Sequence, residues 1–231
     1  MRVAALYDVH GNLPALEAVL ADVEREDVDR IVFGGDVVSG PWPAQTLERV
    51  LALGERALVV RGNADRDFQP WRRERLGDAG HELVLGWPLT VELDVDGLGR
   101  VLFCHATPRS DEEIVTRITP EERLRSIFEG VEADVVVHGH VHVAYDRRAA
   151  GLRIVNPGSV GLPYEERPGA YWAILGPSVE HRRTEYDIGA MVDAARVLGF
   201  PKLDHYVVPS QIEPIGPDEA TRHFEELADG A

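Results

Sequence analysis

Three histidines stand at alternate positions directly after a short apolar run. His138, His140 and His142 follow the valines of residues 135–137, with Gly139 between the first two histidines. Histidine is the commonest metal-ligating side chain, and residues two apart in an extended segment point to the same side. The pattern is therefore typical either of a metal site or of a solvated histidine-rich loop, and only partners elsewhere in the chain separate the two interpretations.

Residues of metal-ligand type also follow four other apolar runs that we interpret as buried strands. The runs cover residues 3–7, 31–33, 57–60 and 101–104. The side chains at or just beyond their ends are Asp8 and His10, Asp36, Asn63, and His105. Ligands of open α/β sheets bind beyond the carboxyl ends of the strands. We therefore expect these side chains to meet the histidines at one edge of a sheet.

The order of the elements predicts an α/β fold. Strands alternate with apolar residues at helical spacing over residues 13–23 and 44–53, as in βαβ units of a parallel sheet. From Leu89 the spacing changes to two, and a turn at Asp96-Gly97 predicts an antiparallel hairpin. Later segments are predicted as strands at 144–148, 153–155, 171–175 and 179–186, and as helices at 188–198 and 217–227.

Some local features carry more specific expectations. Residues 71–75 are interpreted as a solvated helical face. Thr119 and Glu122 have the spacing of a capping box at the start of a helix. We expect one domain over residues 1–231, with 187–231 as a C-terminal helical extension packed on it. The last helix is expected to pack through three residues, Ala220, Phe224 and Leu227.

Composition narrows the possible functions. The chain has 231 residues, a formal net charge of -16 and one cysteine, Cys104. The acidic surface argues against binding to duplex nucleic acid or to an anionic membrane, but not against a small phosphorylated substrate. The first apolar run ends at Asp8, too soon for a signal peptide. A cytoplasmic protein is the expectation, and the sequence makes no prediction of oligomeric state.

The strand-end residues resemble the five motifs of the calcineurin-like metallophosphoesterase superfamily. The matching series is Asp8-Val9-His10, Gly35-Asp36, Gly62-Asn63, His105 and Gly139-His140-Val141-His142. Residues 156–161, Asn-Pro-Gly-Ser-Val-Gly, resemble a loop of its small prokaryotic phosphodiesterase-like branch. The resemblance implies a four-layer α/β/β/α sandwich of two mixed β-sheets flanked by helices. It also implies a dinuclear metal site at the C-terminal ends of the strands.

The resemblance further implies which residues hold the two ions. One ion would take Asp8, His10, Asp36 and His142, and the other Asp36, Asn63, His105 and His140. Asp36 would bridge the ions and help to hold a hydroxide that attacks phosphorus. Imidazole, carboxylate and amide ligands suit manganese, iron, zinc, cobalt or nickel, and among these we favour manganese.

The third motif departs from the family pattern. Many members have a histidine after the motif asparagine that helps to protonate the leaving group, and this chain has Ala64 there. Phosphodiesters or activated phosphomonoesters are therefore expected to be better substrates than alkyl phosphomonoesters. Asp65 is a candidate catalytic acid that lacks its usual histidine partner.

Four further residues have two interpretations each. Asn12 could contact the substrate phosphate or cap a helix. Arg109 could bind phosphate or be a surface arginine, and Tyr164 is a candidate pocket residue. His138 is expected to support the site rather than to ligate metal.

We therefore expect a metal-dependent phosphohydrolase, either phosphodiesterase or phosphatase. The alternatives are a catalytically silent scaffold, like the retromer subunit that has this fold, or a protein or phosphomonoester phosphatase. A nuclease of the same superfamily is disfavoured by the acidic surface. The intact ligand set favours an enzyme.

Overall fold

The computed structural model describes residues 1–67, 69–201 and 203–230, and its strands form two five-stranded sheets. The first sheet contains, in spatial order, β10 (Val179–Thr184), β9 (Ala170–Leu175), β1 (Val3–Leu6), β2 (Arg30–Gly34) and β3 (Ala57–Val60). The second contains β4 (Thr90–Val95), β5 (Gly99–Cys104), β6 (Val135–Val137), β8 (Leu152–Asn156) and β7 (Tyr145–Ala149). Strands β1, β2 and β3 are parallel, as are β5, β6 and β8, whereas the remaining pairs are antiparallel. Both sheets are thus mixed.

Helices cover the outer faces of the sheets. They are α1 (Leu13–Val23), α2 (Pro43–Leu51), α3 (Asn63–Arg66), α4 (Pro70–Leu85), α5 (Glu121–Ile127), α6 (Ile188–Leu198), α7 (Leu203–Val207) and α8 (Pro217–Asp229). A 3₁₀ turn at Gly54–Arg56 and a π-helical turn at Val208–Ile212 complete the elements. No helix among the described residues is both long and apolar enough to cross a bilayer.

The side chains of β1 alternate between the two faces of the first sheet, and each face packs against a different layer. Val3 and Ala5 point into the core between the two sheets, whereas Ala4 and Leu6 pack with the apolar side of α1. A strand buried on both faces is apolar throughout, and all four residues of β1 are fully buried. The outer face of the second sheet packs against α5 through residues such as Leu124 and Ile127. The predicted four-layer α/β/β/α sandwich is confirmed.

Three local expectations are wrong. Arg72, predicted to be solvated, is 1% exposed and donates to the carbonyl oxygens of Ala64 and Asp67. Thr119 makes no capping box, because its hydroxyl contacts Glu225 in α8 and α5 begins two residues later with no side-chain cap. Leu227 is 48% exposed. For Thr119, a contact with a residue 106 positions away in the sequence outweighs the local pattern.

The C-terminal segment packs on the rest of the chain through its own apolar cluster. Met191, Ala195 and Phe200 are buried there, with Trp42 and Trp71 packed against them. The sequence pattern predicted α6 over its full observed length but missed the turns of α7 and residues 208–212. The division into one domain and a packed extension stays a prediction.

Candidate metal centre

Four predicted ligands converge at the strand ends. Asp8, His10, Asp36 and His142 each offer a ligand atom, and these atoms lie within 4.8 Å of one another. His10 Nε2 is 3.1 Å from His142 Nε2 and 3.6 Å from Asp36 Oδ2. His142 Nε2 is 3.2 Å from Asp8 Oδ1. The side chains come from the ends of β1 and β2 and from the loop after β6, as parallel strands allow.

The other predicted ligands lie beside this cluster. His105 Nε2 is 3.5 Å from Asp36 Oδ2 and 3.0 Å from Asn63 Oδ1. The ring of His140 lies 5.2 Å from that of His105, measured between centroids. Asp36 Oδ2 therefore lies within 3.6 Å of a ring nitrogen from each of the two predicted ligand groups, as a carboxylate shared by two ions would need to.

The hydrogen bonds of the imidazoles fit a metal site. Nδ1 contacts a backbone carbonyl oxygen in three of them: Ser39 O at 3.4 Å for His10, Gly34 O at 2.9 Å for His105 and Leu162 O at 2.7 Å for His142. A carbonyl accepts only from N–H, so Nδ1 carries a proton and, in the neutral imidazole, Nε2 presents a lone pair to the cluster. The Nε2 atoms of His10 and His142, 3.1 Å apart, therefore require a proton or a metal ion between them.

Asp8 supplies a second observation that fits a cation. Its Oδ1 is buried and has no hydrogen-bond donor among the described residues while His142 Nε2, 3.2 Å away, is unprotonated. Its Oδ2 accepts from the backbone N–H of His140 at 3.1 Å. A buried carboxylate oxygen without a donor is costly, and a coordinated metal ion would remove that cost.

The pKa shifts follow from burial and from the mixture of charges. Burial lowers the pKa of His10 and of His140 to about 3, so both are neutral at pH 7, the form that ligates metals. Burial by itself raises the pKa of Asp8, but the neighbouring imidazoles, above all His142, lower it below its usual range. For His142, burial lowers the pKa and Asp8 raises it, with a net increase. Asp8 therefore stays ionised, and the imidazoles of His10 and His140 stay neutral, as metal ligands must be.

Backbone conformation is unusual at these ligands. Across the described ranges, six non-glycine residues have positive φ, and five of them are Asp8, His10, Asp36, His140 and His142. Such conformations cost energy for residues with a side chain and concentrate at functional sites. Space is also tight beside Asp36, since a Cβ at Gly62 would lie 2.2 Å from Asp36 Oδ1.

The loop at residues 156–161 holds the first motif in place. Ser159 Oγ donates to Asp8 O at 2.8 Å, and Gly161 N donates to the same oxygen at 3.0 Å. Asn156 Nδ2 donates to Gly139 O at 2.9 Å, which links this loop to the histidine loop. The motif noticed in the sequence thus positions ligands rather than supplying one.

Asp65 and Asn12 make structural contacts. Asp65 is fully buried and accepts from the backbone N–H groups of Val37, Val38 and Gly62 at 2.9–3.1 Å. Burial, reinforced by the charge of Asp36, raises the pKa of Asp65 to about 7. Asn12 Oδ1 caps α1 by accepting from Ala15 N at 3.2 Å. These contacts agree with supporting roles, and the proposed roles in catalysis and substrate binding stay predictions.

Arg109, Tyr164 and His138 lie around the site in different ways. Arg109 is paired with Glu113 and donates to Ser126 O at 3.0 Å, and none of its described contacts is with the cluster. Tyr164 stacks on His142, with ring centroids 5.5 Å apart. His138 is fully buried and hydrogen-bonded to Tyr145. A role for Arg109 or Tyr164 in substrate binding stays a prediction.

The sequence analysis did not identify two residues that lie near the site. Tyr206 in α7 has its ring 6.2 Å from that of His10. Arg72 anchors the third motif through the carbonyl oxygens of Ala64 and Asp67. Neither residue lies in a motif, and α7 itself was not predicted, so no local signal identifies them.

The chain belongs to the calcineurin-like phosphoesterase superfamily, since the model of that superfamily's domain matches residues 1–176. The family uses divalent metals, and the Asp/His cluster could hold them.

Two relatives and two solved structures are similar to it. The chain is 26% identical over 219 residues to the uncharacterised protein MJ0912 of Methanocaldococcus jannaschii, covering 80% of this chain and 88% of that one. It is 25% identical over 182 residues to the phosphodiesterase YfcE of Escherichia coli, covering 74% and 85%. A metallophosphoesterase structure from Sphaerobacter thermophilus aligns with a TM-score of 0.74 and 28% identity over 90% and 98% of the two chains. A zinc complex of Vps29 from Entamoeba histolytica shares the fold at 17% identity and a TM-score of 0.51 over 81% and 100%.

Proposed function

We propose that this chain is a metal-dependent phosphoesterase that cleaves phosphodiesters or activated phosphomonoesters, with seven residues holding two divalent ions. The carrying observation is the position of Asp36, whose Oδ2 lies 3.6 Å from His10 Nε2 and 3.5 Å from His105 Nε2. Its other oxygen accepts from Ala64 N at 2.7 Å, which fixes the carboxylate between the two groups of ligands. Manganese is the metal that we favour.

The residues divide the work as follows. Asp8, His10, Asp36 and His142 would hold one ion, while Asp36, Asn63, His105 and His140 would hold the other. Carbonyl oxygens at Nδ1 fix the orientation of three of the imidazoles, so that Nε2 faces the cluster: His10, His105 and His142. When bound, such ions supply Lewis acidity at the phosphoryl oxygens and a nucleophile at neutral pH.

The choice of substrate follows from what Ala64 lacks. A methyl group cannot donate a proton to a departing alkoxide, so a good leaving group is required. This agrees with the name of the similar protein YfcE, a phosphodiesterase. The first experiment is a metal-reconstituted screen of p-nitrophenyl phosphate, its bis ester, cyclic nucleotides and dinucleotides, with metal analysis of the same samples.

A scaffold is the competing function, because Vps29 shares the fold and is described in complex with zinc. Metal binding alone therefore does not separate the two functions, whereas turnover does. A protein that binds metal and cleaves nothing in the screen would favour the scaffold and contradict the proposal.

Asp36→Asn tests the site itself. The amide oxygen can still accept from Ala64 N, so the loop is retained, but the bridging charge is lost. We expect kcat/KM for the bis ester to fall by more than about 100-fold, the upper end of the loss when a group supporting a metal ligand is removed. Bound metal, measured by elemental analysis, should fall below that of the wild type.

The matched control is Asp193→Asn, an exposed carboxylate in α6 that pairs only with Arg196 among the described residues. It should retain wild-type activity and metal content. If Asp36→Asn keeps wild-type activity, the ligand assignment is wrong.

A further inference from the structure

A cavity of about 490 Å³ lies where the C-terminal segment meets Tyr164. Its apolar walls include Tyr164, Ile215, Ala220 and Phe224, and its polar walls include Glu219 and His223. We call these six residues the aromatic pocket. The volume is within the range of cavities that bind small organic ligands, roughly 300–1,000 Å³.

The aromatic pocket adjoins the candidate metal centre through one side chain. The ring of Tyr164 is stacked on that of His142 at an interplanar angle of 18° and lies 6.1 Å from that of Phe224. The backbone N–H of Tyr164 also donates to His142 O at 3.1 Å. Tyr164 therefore lines the pocket and also contacts a candidate ligand, so the pocket lies next to the centre.

Hydrogen bonds between residues far apart in the sequence hold the C-terminal segment around the pocket. Gln211 Nε2 donates to Gly161 O at 3.4 Å and to Gly169 O at 3.2 Å, which ties the π-helical turn to the loop that carries Tyr164. Glu225 of α8 accepts from Thr116 and Arg123 of the main body. The cavity is thus preformed, as specific ligand sites usually are.

The charge of the walls indicates what the pocket accepts. No lysine or arginine lines it in the described structure, whereas the carboxylate of Glu219 does. A second phosphate would meet that negative charge with no lysine or arginine among the described lining residues to offset it. An uncharged ring would instead bury apolar surface against Phe224 and Ile215 and contact aromatic faces.

We propose that the aromatic pocket binds an uncharged aromatic substituent of a phosphodiester whose phosphate lies at the metal centre. This rests on the proposed phosphoesterase function and deepens it by naming a substrate class. The substituent concerned is the one that remains on phosphorus, so its effect can be measured with a constant leaving group.

The kinetic test compares phenyl p-nitrophenyl phosphate with methyl p-nitrophenyl phosphate, both of which release p-nitrophenol. We expect the wild type to prefer the phenyl ester, and Phe224→Ala to reduce that preference by at least about fivefold, mainly through KM. Leu227→Ala, an exposed position in the same helix, should leave it unchanged. An unaltered preference in a folded Phe224→Ala protein overturns the proposal.

A second variant changes an exposed side chain, so we expect it to fold like the wild type. Glu219→Lys should raise kcat/KM for 4-carboxyphenyl p-nitrophenyl phosphate relative to the phenyl ester by at least about fivefold, since a like charge is replaced by an opposite one. Glu226→Lys, exposed in the same helix, is the matched control. Equal effects of the two variants would reject the pocket as the binding place.

Binding without metal separates this proposal from the proposed function. In EDTA, the ¹⁹F resonance of 4-fluoroanisole should broaden with wild-type protein and with Leu227→Ala, but less with Phe224→Ala. Binding without hydrolysis of any ester would leave the pocket in place as a binding site and overturn the phosphoesterase function. Hydrolysis without phenyl preference or probe binding would overturn the pocket alone.

Discussion

At the scale of the residue, the candidate ligands owe their positions to strained backbone. Asp8, His10 and Asp36 have φ values of 52°, 49° and 51°, in the left-handed region. A residue with a side chain in such a conformation costs about 1–3 kcal/mol. The loops retain these conformations through bonds such as Ser159 Oγ to Asp8 O. We infer that binding geometry, rather than stability, accounts for the conformation of these loops.

Ala64 provides a test at this scale. Its side chain is partly exposed and its backbone N–H, which any substitution retains, holds Asp36 Oδ1. We expect Ala64→His to raise kcat/KM for an alkyl phosphomonoester relative to a p-nitrophenyl diester by at least about tenfold, less than the 10²- to 10⁴-fold of a well-placed acid. Steady-state kinetics on both substrates measures the ratio.

The matched control for that substitution is Ala64→Gln, whose amide donates hydrogen bonds but does not act as an acid at neutral pH. Its ratio should stay at the wild-type value. A ratio that is unchanged in Ala64→His would reject the explanation of substrate preference by the missing histidine.

At the scale of the element, three carboxylates of α8 pair with arginines of the body, and Glu225 is the least exposed of the three, the others being Asp218 and Asp229. Glu225 Oε1 accepts from Thr116 Oγ1 and from the hydroxyl of Thr119, and its Oε2 accepts from Arg123 at 2.6 Å. The carboxylate is 14% exposed, so these bonds are largely shielded from water. This contact also explains why Thr119 does not cap α5.

Glu225→Ala should therefore destabilise the protein. Hydrogen bonds to a charged group contribute about 1.5–3 kcal/mol, and the substitution leaves Arg123 without this partner. We expect the free energy of unfolding in urea to fall by about 2–3 kcal/mol. Glu226→Ala, exposed beside it, should change it little. Equal stabilities of the two variants would show that Glu225 does not fasten the helix.

At the scale of the whole molecule, buried titratable groups make stability depend on pH. Burial raises the pKa of Glu165 to about 7, although the backbone N–H of Ala144 donates to its carboxylate at 2.6 Å. The folded state thus holds a proton more tightly than the unfolded state, whose glutamate has a pKa near 4.5. Stability from this group is therefore present below about pH 4.5 and is lost as the pH rises towards 7.

The corresponding prediction concerns Glu165→Gln. The amide oxygen can still accept from Ala144, but the side chain no longer ionises. In EDTA, Tm of the wild type should fall more between pH 5 and pH 8 than that of the variant, as measured by differential scanning calorimetry. Taking the difference between the proteins cancels the titration of groups common to both. Parallel pH profiles would contradict the assigned role of Glu165.

The sequence by itself determined the strands, the fold class and the residues that meet at the strand ends. Local patterns suffice for these, because a strand such as β1 is apolar throughout and Asp8 follows it at once. Parallel strands then place their ends at one edge. The metal roles of those residues remain proposals that Asp36→Asn tests.

Only the tertiary structure decided the burial of Arg72, the approach of Tyr206 to His10 and the aromatic pocket. Tyr164 and Phe224 are sixty positions apart in the sequence, yet their rings lie 6.1 Å apart. This proximity depends on how α8 packs, and no periodic pattern in the sequence reveals it. The ligands follow from local order, whereas the shape of the surface around them follows from contacts between distant segments.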